Sequence, residues 1–230
     1  MAAPFIKKDS FVFLEKLSKN NTREWFTQHK DHYQRAQENI IDFAGVLLAE
    51  MNKHDQIETA SGKQSLHRIY KDVRFSKDKT PYNIHFSGSF RRATKKLRGG
   101  YYFHIQPGNS FLAGGFWGPE AHDLQRIRQD IESNYKDWQK LLADKKLIAT
   151  FGKMIGSQLS TAPRGYAKDH PGIELLRYKQ FLLQHHFTDA EVLDPGFAKN
   201  VSDTFKKMRP FLDFMSDVLT TDANGISLAD

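Results

Sequence analysis

The segment that decides the fold is NIHFSGSFRRATKKLRGGYYFHIQ, residues 83 to 106, because the hydrophobic pattern changes there from a helical to an alternating period. In NIHFSGSF (83–90) apolar residues alternate with His85 and two serines, and in YYFHIQ (101–106) the polar positions include His104. Alternation is typical of β-strands, whose successive side chains point to opposite faces. The two segments therefore predict neighbouring strands, each with one apolar and one polar face.

The residues that follow predict a turn and a third strand. Residues 107–109, Pro-Gly-Asn, are a hairpin-turn sequence, and SFLAGGFW (110–117) returns as a strand. Gly114 and Gly115 indicate a bulge or the close approach of another group. A meander of this kind is antiparallel.

Toward the N-terminus, the sequence predicts one long amphipathic helix over residues 22 to 52, preceded by a cap at Asn21 with Glu24. Its apolar stripe consists of Trp25, Phe26, His29, Tyr33, Ala36, Ile40, Phe43, Leu47 and Met51. A stripe at this spacing is typical of a helix that packs on a core.

Toward the C-terminus, residues 119–219 are predicted to be mainly helical, with a long loop at 157–172 and a strand at FLLQHHF (181–187). A terminal helix from Phe197 to Leu219 is expected to kink at Pro210. The pattern as a whole predicts a single α+β domain over residues 1–230. Its motif and antiparallel sheet occupy 64–117, and its helices pack mainly on one face of the sheet.

Composition excludes several classes of protein. The chain has 230 residues, 39% of them hydrophobic and 13% aromatic, which is enough for one good core. It has no cysteine, so disulfides, thiolate catalysis and cysteine-based metal sites are excluded. No segment approaches the roughly 20 apolar residues of a membrane helix. We therefore expect a cytoplasmic protein with no membrane partner.

Positive charge is concentrated in one region. Residues 63–98 contain eleven Lys or Arg against two acids, whereas the formal charge of the whole chain is only +7. Positive charge concentrated in one region is better evidence for a charged partner than the same charge spread over the whole surface.

Within this region RIYKDVRFSKDKTPY, residues 68–82, interleaves basic and apolar side chains. In an extended chain Arg68, Asp72 and Arg74 share a face. Pro81 forces the residue before it to be extended, so the segment before it is predicted to turn.

The segment resembles the family called domain of unknown function 2461, marked by the pattern R-x-x-R-D-x-R-F-x-x-[DN]-K-x-x-Y. The pattern falls on Arg68, Lys71, Asp72, Arg74, Phe75, Asp78, Lys79 and Tyr82. Lys71 departs from it, since the family has arginine there, and lysine lacks the bidentate fork. NNTREWFTQHKDHY, GGYYFHIQPGNSFLAGGFWGPE and PRGYAKDHPGIELLRYKQF also look like family segments, so the resemblance spans nearly the whole chain. It implies no activity, because the family has none assigned.

The cations of this pattern allow two interpretations. They could hold a phosphate or carboxylate group, for which arginine is well suited, or they could form an internal ion network with Asp72 and Asp78. In the first interpretation Asp72 orients an arginine, and part of the loop 157–172 closes the site. The predicted ligand-binding residues are Arg68, Lys71, Arg74, Lys79, Tyr82, Arg164 and His170.

His85 and His104 lie on the polar faces of neighbouring predicted strands, where either could act as a general acid or base. A histidine on a sheet is more often a hydrogen-bonded structural residue, so both interpretations stay open. No histidine spacing matches a metal motif, and there is no glycine-rich phosphate loop or nucleophile elbow. The sequence therefore predicts no metal and no cofactor.

Three classes of function follow from these residues. The protein could bind or transform an anionic small molecule at the polar face. It could bind nucleic acid backbone through RRATKKLRG (91–99), which is predicted to be an exposed, mobile loop where Lys95 and Lys96 can become Ala without loss of stability. It could also be an interaction module in which the motif is structural. The sequence predicts no oligomeric state.

Overall fold

The computed structural model describes residues 4–93 and 96–221. Four strands in this part of the chain form one antiparallel sheet in the order β1-β2-β3-β4. They are β1 (Phe86–Arg91), β2 (Gly100–Ile105), β3 (Ser110–Phe116) and β4 (Phe181–Phe187). All four predicted strands are thus confirmed, although β1 begins three residues later than the alternation indicated.

Ten helices among the described residues accompany the sheet. They are α1 (Lys8–Lys19), α2 (Arg23–Gln28), α3 (Lys30–Met51), α4 (Gly62–Ser65), α5 (Ala121–Ser133), α6 (Tyr135–Leu142), α7 (Lys145–Phe151), α8 (Ile173–Leu176), α9 (Asp189–Val192) and α10 (Phe197–Thr220). The predicted α+β fold with an antiparallel sheet is confirmed. None of the described helices combines the length and apolar character that crossing a membrane requires. Pro210 lies inside α10, and the kink expected there stays a prediction.

The prediction of one helix over residues 22–52 is wrong, because the backbone leaves the helical region at His29, with φ −113° and ψ 20°. The His29 Nδ1 lies 2.8 Å from the Trp25 carbonyl oxygen, and the two rings stack at 4.0 Å. The cap is also displaced by one residue, since Thr22 rather than Asn21 accepts from the backbone N–H of Trp25. Asn21 instead binds both backbone polar groups of Tyr82.

The chain divides into two compact units. The first comprises Met1–Phe90, Tyr102–Leu112 and His186–Asp203, and the second comprises Arg91–Tyr101, Ala113–His185 and Thr204–Asp230. In the first unit, Phe43 of α3 packs edge-on against Phe103 of β2 and stacks on Phe197 of α10. The apolar face of β2 is therefore covered by helices there, and the predicted core function of the α3 stripe holds.

In the second unit, α10 packs against β2, with the Phe205 ring 4.8 Å from that of Tyr101. Gly114 and Gly115 show the predicted close approach. A Cβ atom at Gly114 would lie 2.2 Å from the Met208 sulfur, and one at Gly115, where φ is +133°, would lie 2.1 Å from the Phe181 carbonyl oxygen. Gly115 has no room for a side chain because the conflict is with backbone, whereas at Gly114 the Met208 side chain would have to move.

The prediction that RRATKKLRG is an exposed loop is wrong for Arg92, which is only 1% exposed and also lies in the second unit. Its guanidinium pairs with Asp213 and donates to Ser216 Oγ at 3.3 Å. Arg98 pairs in turn with Asp123. Asp213 and Ser216 are 121 and 124 positions from Arg92, and Asp123 is 25 positions from Arg98, so local composition gave no sign of these partners. Lys96 is exposed, as predicted, and Lys95 lies outside the described residues.

Candidate functional site on the polar face of the sheet

The polar face of the sheet in the first unit carries three histidines close together. His104 of β2 stacks against His85, with 4.0 Å between ring centroids, and against Phe111 of β3, at 4.6 Å. His67, which precedes β1 in the chain, is held at this face by the antiparallel bridge between Leu66 and Gly88. We call His67, His85 and His104 the histidine cluster. The structure thus brings together the two histidines that the strand pattern singled out and adds a third.

Two runs of hydrogen bonds lie on the polar face. One links Ser89, His67 and Ser87, and the other links Tyr102, His104 and Gln106. The amide oxygen of Gln106 accepts from His104 Nε2 at 3.0 Å, so His104 Nδ1 is the acceptor for the Tyr102 hydroxyl, also at 3.0 Å. Both nitrogens of His104 are therefore occupied, and its ring is fixed in one orientation.

His85 differs from its neighbours because no residue in the described part of the chain is hydrogen-bonded to its ring. Burial, together with the nearby His104, Lys71 and His67, lowers the pKa of His85 to about 4. Burial also lowers the pKa of His104 and that of His67. At neutral pH all three imidazoles are therefore uncharged.

The histidine cluster should make stability sensitive to acid. Because the pKa of His85 is depressed in the folded state, its contribution to stability is complete above the ordinary value of 6.5 and is lost as the pH falls toward 4. We expect the melting temperature to decrease over that interval, and to decrease less in His85→Asn. Thermal unfolding followed by circular dichroism checks this.

The matched control for this experiment is His32→Asn, which alters an exposed histidine of α3 in the same unit. It should keep the wild-type pH dependence. Equal slopes for His85→Asn and the wild type would contradict the assigned environment of His85.

The family pattern, residues 68–82, folds into a hairpin that we call the motif arm. Tyr70 and Tyr82 form an antiparallel bridge, and the N–H of Lys71 donates to the Pro81 carbonyl at 2.9 Å. Tyr82 is buried and its ring stacks on Phe26 at 3.9 Å. The base of the motif arm is therefore attached to the core, and Tyr82 serves as its anchor.

Most cations of the motif arm have partners within it. Arg74 makes a two-point pair with Asp72, at 2.6 Å for the shorter contact, and Lys79 Nζ donates to the Val73 carbonyl at 3.0 Å. These contacts match the ion-network interpretation. Both side chains of the Arg74–Asp72 pair are exposed, so the pair stabilises the protein little.

Lys71 contacts the second carboxylate of the motif arm and also influences the polar face. Its ammonium donates to Asp78 and to Thr80, both at 2.8 Å. The bond from Lys71, followed by those from Thr80, holds the pKa of Asp78 well below its ordinary value, and Arg74 similarly lowers the pKa of Asp72. Both carboxylates are therefore ionised at physiological pH.

The remaining predicted site residues lie at the base of the arm and in the second unit. Arg68 is exposed, and its carbonyl accepts from the Asn83 side chain at 3.2 Å. In the second unit Arg164 is exposed, and His170 Nδ1 accepts from the N–H of Gly172 at 2.9 Å. That Arg164 and His170 close a site stays a prediction.

Two other features bear on ligand binding. A cleft of about 450 Å³ lies between α1 and α3, with Asn39 in its lining. The Asn39 side chain is already bonded to Lys7, Ser10 and Phe5. Within residues 4–93 and 96–221, no group of three or more metal-ligating side chains is arranged to hold an ion.

The fold and the polar face define an α+β protein with a cluster of three histidines beside a basic hairpin, in which His104 is buried, His85 half-buried and His67 exposed. The family model described as "Conserved hypothetical protein (DUF2461)" matches residues 9–214, and the chain belongs to this family. The predicted family membership is thus confirmed. No curated protein and no solved structure matches the chain.

His67 is the residue of the polar face that the sequence did not single out. It lies in no alternating segment, and the bridge that places it joins positions 22 residues apart. The only local signal was its position one residue before the family pattern, which carried no chemical meaning by itself.

Proposed function

We propose that the polar face in the first unit binds a small molecule bearing a phosphate or carboxylate group, with His85 as the residue that exchanges a proton with it. One observation carries the proposal. The histidine cluster lies near Lys71, and none of its rings is hydrogen-bonded to a carboxylate within the described residues. Three imidazoles that can become cationic thus share a face on which no carboxylate of the described residues is hydrogen-bonded to them, and the Lys71 ammonium beside them is held by Asp78.

An anion would complete this arrangement electrostatically. Burial and neighbouring positive charge lower the pKa of His85, and a bound anion offsets the second of these causes. The Lys71 ammonium has three N–H donors, two of which are used by Asp78 and Thr80. The third is the donor that we assign to the ligand.

Proton exchange follows from the same electrostatics. Without ligand, His85 is a neutral base with a pKa of about 4. A neighbouring anion raises that pKa toward neutrality, where a histidine is most effective as an acid–base catalyst. His104, held between Tyr102 and Gln106, is the positioning residue because its ring supports that of His85.

Ligand binding should therefore depend on pH. We expect inorganic phosphate, pyrophosphate or citrate to raise the melting temperature, and to raise it more at about pH 6 than at about pH 8, because protonated His85 binds the anion better. A ligand at 100 times its Kd stabilises the folded state by about 2.7 kcal/mol, which is easily measured. Differential scanning fluorimetry against this panel is the measurement.

The variants locate the site. His85→Asn should lose most of the ligand-induced shift while remaining folded, and His32→Asn should keep it. Arg74→Ala and Lys79→Ala test whether the motif arm contributes to ligand binding. If both variants keep the ligand-induced shift in melting temperature, the site is confined to the polar face. If no compound shifts the wild type, or if His85→Asn keeps the full shift, the proposal is wrong.

The alternative of nucleic acid binding through residues 91–99 has less support. Two of the five cations in that segment, Arg92 and Arg98, are used in pairs with Asp213 and Asp123. Cations already paired inside a protein contribute little to contacts with a phosphate backbone.

A further inference from the structure

The tip of the motif arm presents a bare aromatic ring. Phe75 is 96% exposed, the highest exposure among the large apolar side chains of the described residues. A single exposed apolar residue is ordinary on a protein surface. Phe75 is unusual because polar contacts organise the residues on both sides of it.

Those contacts fix the backbone around the ring. Asp72 accepts from the backbone N–H and the guanidinium of Arg74, immediately before Phe75. After it, the Ser76 hydroxyl accepts from the N–H of Asp78 at 3.1 Å, and Lys79 binds the Val73 carbonyl across the tip. A side chain presented by a preformed loop loses little conformational entropy on binding.

The motif arm that carries Phe75 also exposes cations and a second aromatic ring. The Arg74 guanidinium lies 6.0 Å from the centre of the Phe75 ring. Lys77 and Arg68 are exposed, and Tyr70 at the base of the arm is 57% exposed. Residues 68–82 carry five Lys or Arg against two Asp, so the motif arm is net positive.

We propose that the tip of the motif arm binds single-stranded nucleic acid, with a base stacked on Phe75 and backbone phosphates held by Arg68 and Lys77. Single-stranded nucleic acid presents both groups that the arm can recognise, since each base has an aromatic face and each linkage a negative charge. In a duplex the base faces are covered by their neighbours, so the strand must be single. This site is separate from the polar face and does not rest on its proposed function.

The exposed area favours this partner over an anionic membrane. Stable attachment to a membrane surface needs a broad apolar face or two anchors, and the tip offers one bare ring. One ring is sufficient for stacking a base, because stacking contributes to affinity through the contact of two flat rings and does not need a large buried area.

The experiment measures binding of a fluorescein-labelled oligothymidylate of about 12 nucleotides to the full chain by fluorescence anisotropy, at about 50 mM salt. Phe75→Ala should weaken binding by on the order of 10-fold or more, the loss expected for one stacked base. Lys77→Ala should weaken binding less and reduce the slope of log affinity against log salt by about 0.7, the value for one phosphate contact to a single strand.

Two matched variants serve as controls. Trp117→Ala removes another bare aromatic ring, 72% exposed, and Lys19→Ala removes an exposed lysine at the end of α1. Both should bind the oligonucleotide as the wild type does.

Three outcomes would overturn the proposal. The first is no binding of the oligonucleotide at low salt, and the second is an equal loss of affinity in Phe75→Ala and Trp117→Ala. The third is that the protein does not bind the oligonucleotide but binds vesicles of phosphatidylserine and phosphatidylcholine, and that this vesicle binding requires Phe75. The last outcome would assign the tip to a membrane surface.

Discussion

Replacing Arg92 by Ala is expected to lower the free energy of unfolding by about 3 kcal/mol. Its side chain is inaccessible to solvent, and its removal leaves a cavity together with the Ser216 hydroxyl and the Arg98 carbonyl deprived of a donor. Asp213 keeps a second partner, Arg209, at 3.2 Å and remains partly in water, so the loss should not exceed the range for a broken buried pair.

The neighbouring residue supplies the control. Arg91 is exposed, and Arg91→Ala should change the free energy of unfolding by less than about 0.5 kcal/mol. Urea unfolding followed by circular dichroism measures both variants. Similar small losses would show that Arg92 is solvated, as its sequence context predicted, and that its buried pair is not formed.

Replacing Trp138 by Ala should have the largest effect, a loss of about 4 kcal/mol, which is the usual cost of removing a large buried side chain. Trp138 of α6 is fully buried, and its ring meets that of Phe214 edge-on at 5.1 Å. Its indole N–H donates to Asp130 at 2.7 Å, so the variant also leaves this carboxylate without that donor.

Two further variants separate packing from hydrogen bonding at this position. Trp138→Phe keeps most of the apolar contact and should lose only about 1 to 2 kcal/mol, whereas Trp117→Ala, at an exposed position, should be nearly neutral. All are compared by chemical denaturation. A Trp138→Phe variant as unstable as Trp138→Ala would mean that the bond to Asp130, rather than packing, dominates.

The strands were predictable because their signal is local. Alternation in residues 83–90 and 101–106 depends only on neighbouring residues, and it also placed His85 and His104 on one face. The break at His29 was not predictable from the stripe, since the apolar period continues through it. At the break the His29 ring and the His29 backbone N–H share the Trp25 carbonyl oxygen.

The misjudged parts of the candidate site have one physical cause. Arg92 is paired with a residue 121 positions away, and His67 reaches the polar face through a bridge to another segment. Charge counted along the chain cannot distinguish a solvated cation from one that a distant carboxylate neutralises. Only the Asp72–Arg74 contact, two positions apart, was within reach of the sequence pattern.

The hairpin geometry of the motif arm makes it a removable module in protein engineering. A hydrogen bond between the backbones of Lys71 and Pro81 already joins its two extended segments, so the nine residues between them form a closed loop. A two-residue Asn-Gly turn is the favoured connection between two antiparallel segments of this kind. A chain shortened in this way would keep the anchor at Tyr82 and release Lys71 from Asp78 and Thr80. It would provide a scaffold in which grafted loops can be displayed in place of the natural tip.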